Sequence, residues 1–311
     1  MFKNVGVVGA GTMGHGIALA YAKAGVKVTI VDLTEDILNR ALEKMSHNLD
    51  IFVEEGMLKF SKEEVLRNIT FSTENKDLKD CEFVIETIIE NLGIKQKLFK
   101  ELDELCEPYT ILASNTSSLR LSDIAKDVKR KDKVILTHFF NPAHIIPLVE
   151  LLKHSETSDQ TYDSVKAFYE ECGKETILVN KELPGLVANR IQIAMAREVF
   201  SLLDQQVASP KDIDKAMTAG PGFRLSISGV IEIADLGGLD VWNTVSNYLV
   251  QFIESSREPF KPLVEKVEKG EFGAKNGKGF YDYSGQGLDD IMLKRDKKLV
   301  KQLKFMDQIK Q

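Results

Sequence analysis

Two short runs of mainly apolar and β-branched residues, NVGVV (4–8) and VKVTIV (26–31), predict strands buried on both faces of a sheet. Between them, Met13 to Ala24 is small and apolar throughout, which predicts a tightly packed helix. The pattern then repeats. Strand-like runs recur at Ile69–Ser72, Phe83–Glu86, Thr110–Ala113, Val134–Thr137, Leu148–Leu151 and Thr176–Val179, with helical periodicity between several of them, notably Ile94–Leu105 and Ser158–Glu171. Such alternation predicts an α/β architecture with a doubly wound, mainly parallel sheet. After NKELPGL the character changes: Val187 to Gln206 is one long helical stretch, strand-like runs largely cease, and glycines interrupt at Gly220–Gly222 and Gly237–Gly238. The boundary is expected near Pro184, giving an α/β domain over 1–185 and an all-helical second domain over 186–311. Its last segment, Asp289–Lys310, reads as a charged, solvated terminal helix.

The turn after the first run holds Gly9, Gly11 and Gly14 in G-x-G-x-x-G spacing. In a strand–turn–helix–strand unit the first glycine permits the sharp turn, the second lets a pyrophosphate approach the backbone, and the third lets helix and strand touch. The anion sits on the helix N-terminus, where N–H groups and the macrodipole favour negative charge. Gly9, Gly11, Thr12, Met13 and Gly14 are therefore expected to face a dinucleotide on a Rossmann-type sheet. Asp32 ends the second run, where a carboxylate accepts hydrogen bonds from the adenosine ribose and repels a 2′-phosphate, so NAD is expected over NADP. A glycine-rich packing turn is the alternative; against it stand strand, helix, second strand and acid in order.

Length and charge narrow the partners. A chain of 311 residues suits two domains, and a formal net charge of -6, from 41 basic and 47 acidic residues well mixed, offers no basic stripe for nucleic acid. Cys81, Cys106 and Cys172 are odd in number and widely spaced, which argues against a disulfide framework and a thiolate zinc site; no metal is expected. No apolar run approaches a membrane span, and a strand beginning at residue 4 leaves no room for a targeting segment, so a soluble, cytoplasmic protein is expected.

Transfer of hydride from an alcohol requires a group to take the hydroxyl proton, a role that suits imidazole at neutral pH. Of five histidines, His138 directly follows the run KVILT, at the carboxyl end of a strand, where ligands of open α/β sheets bind; His144 is its nearest rival. Glu150 lies in the apolar run IIPLVELL, where a carboxylate must be paired. Orienting an imidazole is one such pairing, and a structural ion pair is the other.

GAGTMGHGIA, ASNTSSL (113–119), HFFNP (138–142), the Val149-Glu150 pair, PGLVANR (184–190) and GAKNGKGFYDY (273–283) together resemble the 3-hydroxyacyl-CoA dehydrogenases, in order and spacing from residue 3 to about 284. The resemblance implies His138 as the base, Glu150 as its orienting carboxylate, and Ser117 and Asn189 as the groups that hold the substrate's 3-oxygen. It places Asn141 on the substrate side and Glu90, Lys95, Asn115, Ser117 and Lys275 on the cofactor side. It also implies a homodimer and short-chain 3-hydroxyacyl-CoA as substrate. By residue chemistry alone, Ser117 is a helix cap near Leu119, Asn189 a bend-stabilising amide, Lys95 a solvated helix face and Lys275 part of a turn.

The chain departs from that pattern in places. Pro147 stands before LVE, where the thioester enzymes commonly carry a basic residue, and Ser46–Leu58 holds three carboxylates with no Lys or Arg, a poor bed for a polyanion. The stretch GPGFRLSISGVIEIADLGGLD is similar to relatives that oxidise small free 3-hydroxy acids, such as gulonate or carnitine dehydrogenases. There Arg224 would clamp a carboxylate with a bidentate pair. A non-catalytic NAD-binding protein on the same fold is the reading of another class.

Overall fold

The β-branched runs assemble into one eight-stranded sheet in the computed structural model, which describes residues 2–309. Its strands are β1 (Asn4–Val8), β2 (Lys27–Val31), β3 (Ile69–Ser72), β4 (Phe83–Glu86), β5 (Ile111–Ser114), β6 (Val134–Phe139), β7 (Leu148–Lys153) and β8 (Glu175–Val179). They stand in the order β3-β2-β1-β4-β5-β6-β7-β8. All neighbours pair parallel except β6 and β7. The short Phe140–Pro147 connection accounts for that exception, because a parallel return needs a crossover of a dozen or more residues.

Helices cover both faces. α1 (Gly14–Lys23), α2 (Glu35–Glu54), α3 (Lys62–Arg67) and, later in the chain, α6 (Asp159–Glu171) close one core, around Ile17, Tyr21, Leu38, Met45, Val65 and Phe168. α4 (Leu92–Leu105) and α5 (Leu121–Ile124) close the other, around Leu98, Phe99, Leu102, Leu121 and Ile124. This is the doubly wound arrangement expected from the alternating pattern. The pattern of strands leaves 35–67 unassigned, yet the local signals for α2 are complete. Thr34 accepts the Ile37 N–H as N-cap, Glu35 and Asp36 favour the positive helix end, and Leu38, Ala41, Met45, Leu49 and Phe52 fall on one buried face.

The chain divides into two compact units, Met1–Val187 with Met292–Gln311, and Ala188–Ile291. The second holds α7 (Ala188–Asp204), α8 (Pro210–Ala219), α9 (Pro221–Leu225), α10 (Val230–Gly237), α11 (Leu239–Leu249) and α12 (Lys261–Glu268). Many of its large apolar side chains are exposed, among them Phe223, Ile231, Leu236, Tyr248 and Phe252.

α13 (Leu288–Ile309) returns to the first unit rather than projecting into solvent. Its Val300 is fully buried with Ile51, Phe52 and Ile145, and Leu299 and Leu303 pack beside them. Lys297 pairs with Glu54 at 2.7 Å, Lys301 lies 3.7 Å from Glu55, and the Lys304 ammonium donates to the Glu55 carbonyl at 2.6 Å. With Asp50 paired to Lys62, each of the three carboxylates in Ser46–Leu58 has a cationic partner inside this unit. Among the described residues no helix is long and apolar enough to cross a membrane, and all three cysteines are free thiols.

Candidate active site

The glycine turn between β1 and α1 is shaped for close approach. Gly9 has φ +97, and a Cβ there would meet Thr87 at 2.9 Å; a Cβ on Gly14 would lie 1.7 Å from the Gly9 carbonyl oxygen. Gly11 has nothing within 4 Å of its Cβ position, so the backbone there is open to a ligand. No side chain caps the N-terminus of α1 and no acid occupies its first turn, which leaves N–H donors for a pyrophosphate. Thr12 is exposed beside Gly11, while Met13 leans on the core. Asp32 is held by the Ala10 and Leu33 N–H groups, each at 2.6 Å, and each oxygen keeps a lone pair for a ribose hydroxyl. The residues present fit NAD.

At the carboxyl ends of β4 and β5 lies a charged hub. Lys95 is 1% exposed, so it is not the solvated lysine that its helix pattern suggests. Its ammonium donates to both oxygens of Glu86 at 2.8 Å and stands 3.1 Å from Glu90. Burial pushes the Glu86 carboxyl up, against Lys95 and the Ser114 hydroxyl, which stabilise its ionised form. At Glu90 burial acts in the same direction, but the Thr116 hydroxyl and Lys95 outweigh it and hold the carboxyl below its ordinary value. Glu90 also accepts from Ser118, and Asn115 accepts the Phe139 N–H at 2.8 Å, so the 115–118 loop is tied to β4 on one side and β6 on the other. Glu86 lies outside the motifs, and Thr116 and Ser118 lie within ASNTSSL with no role assigned to them by the resemblance. The signal that drew attention to Glu150, a carboxylate ending an apolar run, is also present at Glu86 in FVIE.

His138 and Glu150 are direct partners in the antiparallel ladder, which puts both side chains on one face. His138 Nδ1 lies 2.7 Å from Glu150 Oε2, and Glu150 Oε1 accepts the Val187 N–H at 3.0 Å. Glu150 is wholly buried and His138 nearly so. A carboxylate only accepts, so Nδ1 donates to it, and a ring in its neutral form presents a lone pair at Nε2. Nε2 has no partner among the described residues.

The rival, His144, has no carboxylate partner: both its ring nitrogens are buried and unpaired, and burial, with Lys23 and His15 nearby, holds its pKa well below the ordinary value.

Ser117 does not cap a helix, because α5 begins at Leu121; its hydroxyl is unpartnered among the described residues, and its carbonyl accepts the Gly185 N–H at 3.2 Å. Asn141 is exposed on the connection after β6. Three residues lie in the second unit. Asn189 is half-buried in the first turn of α7, the exposed Arg224 in α9 has no ion-pair partner among the described residues, and the exposed Lys275 sits in a tight hairpin closed by the Gly273–Lys278 bridge.

Comparison with known proteins agrees over nearly the whole length. Residues 4–183 match the 3-hydroxyacyl-CoA dehydrogenase NAD-binding domain, and residues 185–283 match the C-terminal domain of the same enzymes. A 3-hydroxybutyryl-CoA dehydrogenase of Clostridioides difficile is 38% identical over 283 residues, 90% of this chain and 99% of that protein. Among solved structures, an (S)-3-hydroxybutyryl-CoA dehydrogenase from Ralstonia eutropha superposes with a TM-score of 0.73 at 36% identity, covering 91% of this chain and all of that one. A 5-formyl-3-hydroxy-2-methylpyridine 4-carboxylic acid 5-dehydrogenase, described as an NAD+-dependent dismutase, superposes with a TM-score of 0.90 at 27% identity and covers 99% of both chains. The chain belongs to the 3-hydroxyacyl-CoA dehydrogenase family and is an NAD-dependent oxidoreductase.

Proposed function

We propose that the protein interconverts a short-chain (S)-3-hydroxyacyl-CoA and its 3-oxo form, with 3-hydroxybutyryl-CoA and acetoacetyl-CoA as the pair. The observation that carries this reading is the buried His138–Glu150 pair at the carboxyl end of the sheet, with Nε2 unengaged. NAD, when bound, supplies the hydride acceptor. His138 Nε2 takes the proton of the 3-hydroxyl in oxidation and returns it in reduction. Glu150 neutralises the imidazolium through Nδ1 and, held in turn by the Val187 N–H, keeps the ring from rotating. Ser117, with a free hydroxyl, donates to the 3-oxygen, and such a bond strengthens as that oxygen gains charge. For Asn189 the same role rests on the resemblance alone.

A second reading, a small free carboxylic acid as substrate, is favoured by specific observations. Asp50, Glu54 and Glu55 engage the ammonium groups of Lys62, Lys297 and Lys301, which are then less available to a phosphate, and among the described residues Arg224 keeps an unpaired guanidinium. The pyridine-carboxylate enzyme also matches α13, which neither family domain reaches. One assay separates the readings: NADH absorbance followed with acetoacetyl-CoA, then with NAD and free 3-hydroxy acids, for wild type and His138→Gln. Turnover of the thioester alone supports the first reading and turnover of the free acid alone the second. An active His138→Gln removes the base.

We infer also that the protein self-associates through its second unit, where Phe223, Ile231, Leu236, Tyr248 and Phe252 stand exposed.

A further inference from the structure

Lys174 has no part in the chemistry above, yet it is 7% exposed, and no carboxylate lies within ion-pair distance of it among the described residues. Its ammonium donates to the carbonyls of Ala143 at 2.6 Å and Ile146 at 2.9 Å. Both belong to the connection that leaves β6 after His138 and enters β7 ahead of Glu150. The next residue, Glu175, donates its N–H to the Pro147 carbonyl at 2.9 Å and opens β8 alongside β7. The connection is therefore clamped at three carbonyls by two successive residues. It carries Phe140, whose ring stands edge-on to the His138 imidazole at 5.0 Å.

Burying a cation without an anion is costly, and a methionine would fill the same space more cheaply. Burial lowers the ammonium to about 8, so it remains charged at neutral pH despite that cost. The Phe139 ring, 5.8 Å from the ammonium, offers some relief, but Lys23, on α1, and His144, on the connection itself, are both basic, and Cys172, at the end of α6, is a thiol that burial pushes up to about 12. A costly group that satisfies backbone carbonyls beside a reacting side chain belongs to the class of local sacrifices found at functional sites.

We infer that Lys174 is a positioning residue for the His138 base: its ammonium fixes the Phe140–Pro147 connection and thereby the orientation of the imidazole against Glu150. Without it the Ala143 and Ile146 carbonyls lose their donor, Phe140 moves, and the ring turns about its side-chain bonds while the sheet stays paired. The inference rests on the reading of His138 as the base.

The test compares wild type with Lys174→Met in kcat, KM for NAD, thermal midpoint and the downfield proton resonance of an imidazole Nδ1–H bonded to a carboxylate, assigned by its loss in Glu150→Gln. The expected result is a fall in kcat of about 10²-fold, as for other small misplacements of a reacting group. The resonance should be lost or broadened, KM for NAD should stay within about twofold, and the midpoint should move little, because the buried charge removed offsets the two carbonyls left without a donor. If kcat stays near wild type with the resonance intact, or if it falls only in step with the midpoint and with NAD binding, the inference is overturned. If Lys174→Met does not fold, the same comparison is read on Lys174→Gln. A dead His138→Gln beside a fully active Lys174→Met overturns this inference alone, whereas an active His138→Gln overturns the base and with it the inference.

Discussion

Glu150 uses its two oxygens for different tasks, one toward the imidazole and the other toward the peptide N–H of Val187, the last residue of the first unit before α7. Glu150→Gln keeps size and shape but removes the charge that stabilises an imidazolium. Its kcat should fall by about 10²-fold, toward the lower end of what general-base catalysis contributes. NAD affinity, measured by fluorescence titration, should hardly change, because Asp32 and the glycine turn lie elsewhere on the sheet. Retention of wild-type turnover would show that the carboxylate is only structural. That His138 and Glu150 matter was legible in the sequence, one from its place after a strand and the other as an acid in an apolar run. Their 2.7 Å contact was not, because an eight-residue connection permits several registers and only the folded ladder chooses one. Lys95 shows the converse. It flanks the stripe Leu98, Phe99 and Leu102, and whether such an edge position is wet or dry depends on Glu86, a partner supplied by another element.

The β4–α4 junction encloses that buried pair beside the apolar side chains of α4. Removing one partner leaves the other charged and dry, so Lys95→Met or Glu86→Leu alone should cost about 3–5 kcal/mol in denaturant unfolding. The double variant should recover most of the loss, because two apolar side chains leave no charge to solvate. Additive losses in that cycle would mean that the two residues act independently and that the hub around Glu90 is held by Thr116 and Ser118 instead. Strands were the most legible elements, since a sheet buried on both faces leaves nearly continuous apolar runs. The reversal of β7 and the docking of α13 were not legible. Both depend on what lies across from them, and the lysines of α13 look like any solvated face until Glu54 and Glu55 are placed opposite.

The two units bury their side chains unequally. The first has a core on each side of the sheet and a smaller cluster around Val300; in the second, among the described residues, only Ile213 is buried, and many of its aromatic and branched residues stand exposed. On the proposed self-association, a second copy under a twofold axis covers this apolar surface. Light scattering on a sizing column should therefore report twice the 34.9 kDa of the chain, and Ile231→Asp with Phe252→Asp should return it toward the single-chain mass. A single-chain mass for the wild type would remove the self-association. The first unit also has an unusual dependence on chain order. Val300 completes the pocket formed by Ile51, Phe52 and Ile145, so these residues wait for a helix that lies far later in the chain. On the ribosome the nucleotide-binding half emerges first but cannot close that seam until α13 has been made. A nascent chain stalled before Leu288 should therefore display Ile51 and Phe52 to chaperones, and order of synthesis and order of completion are reversed in this protein.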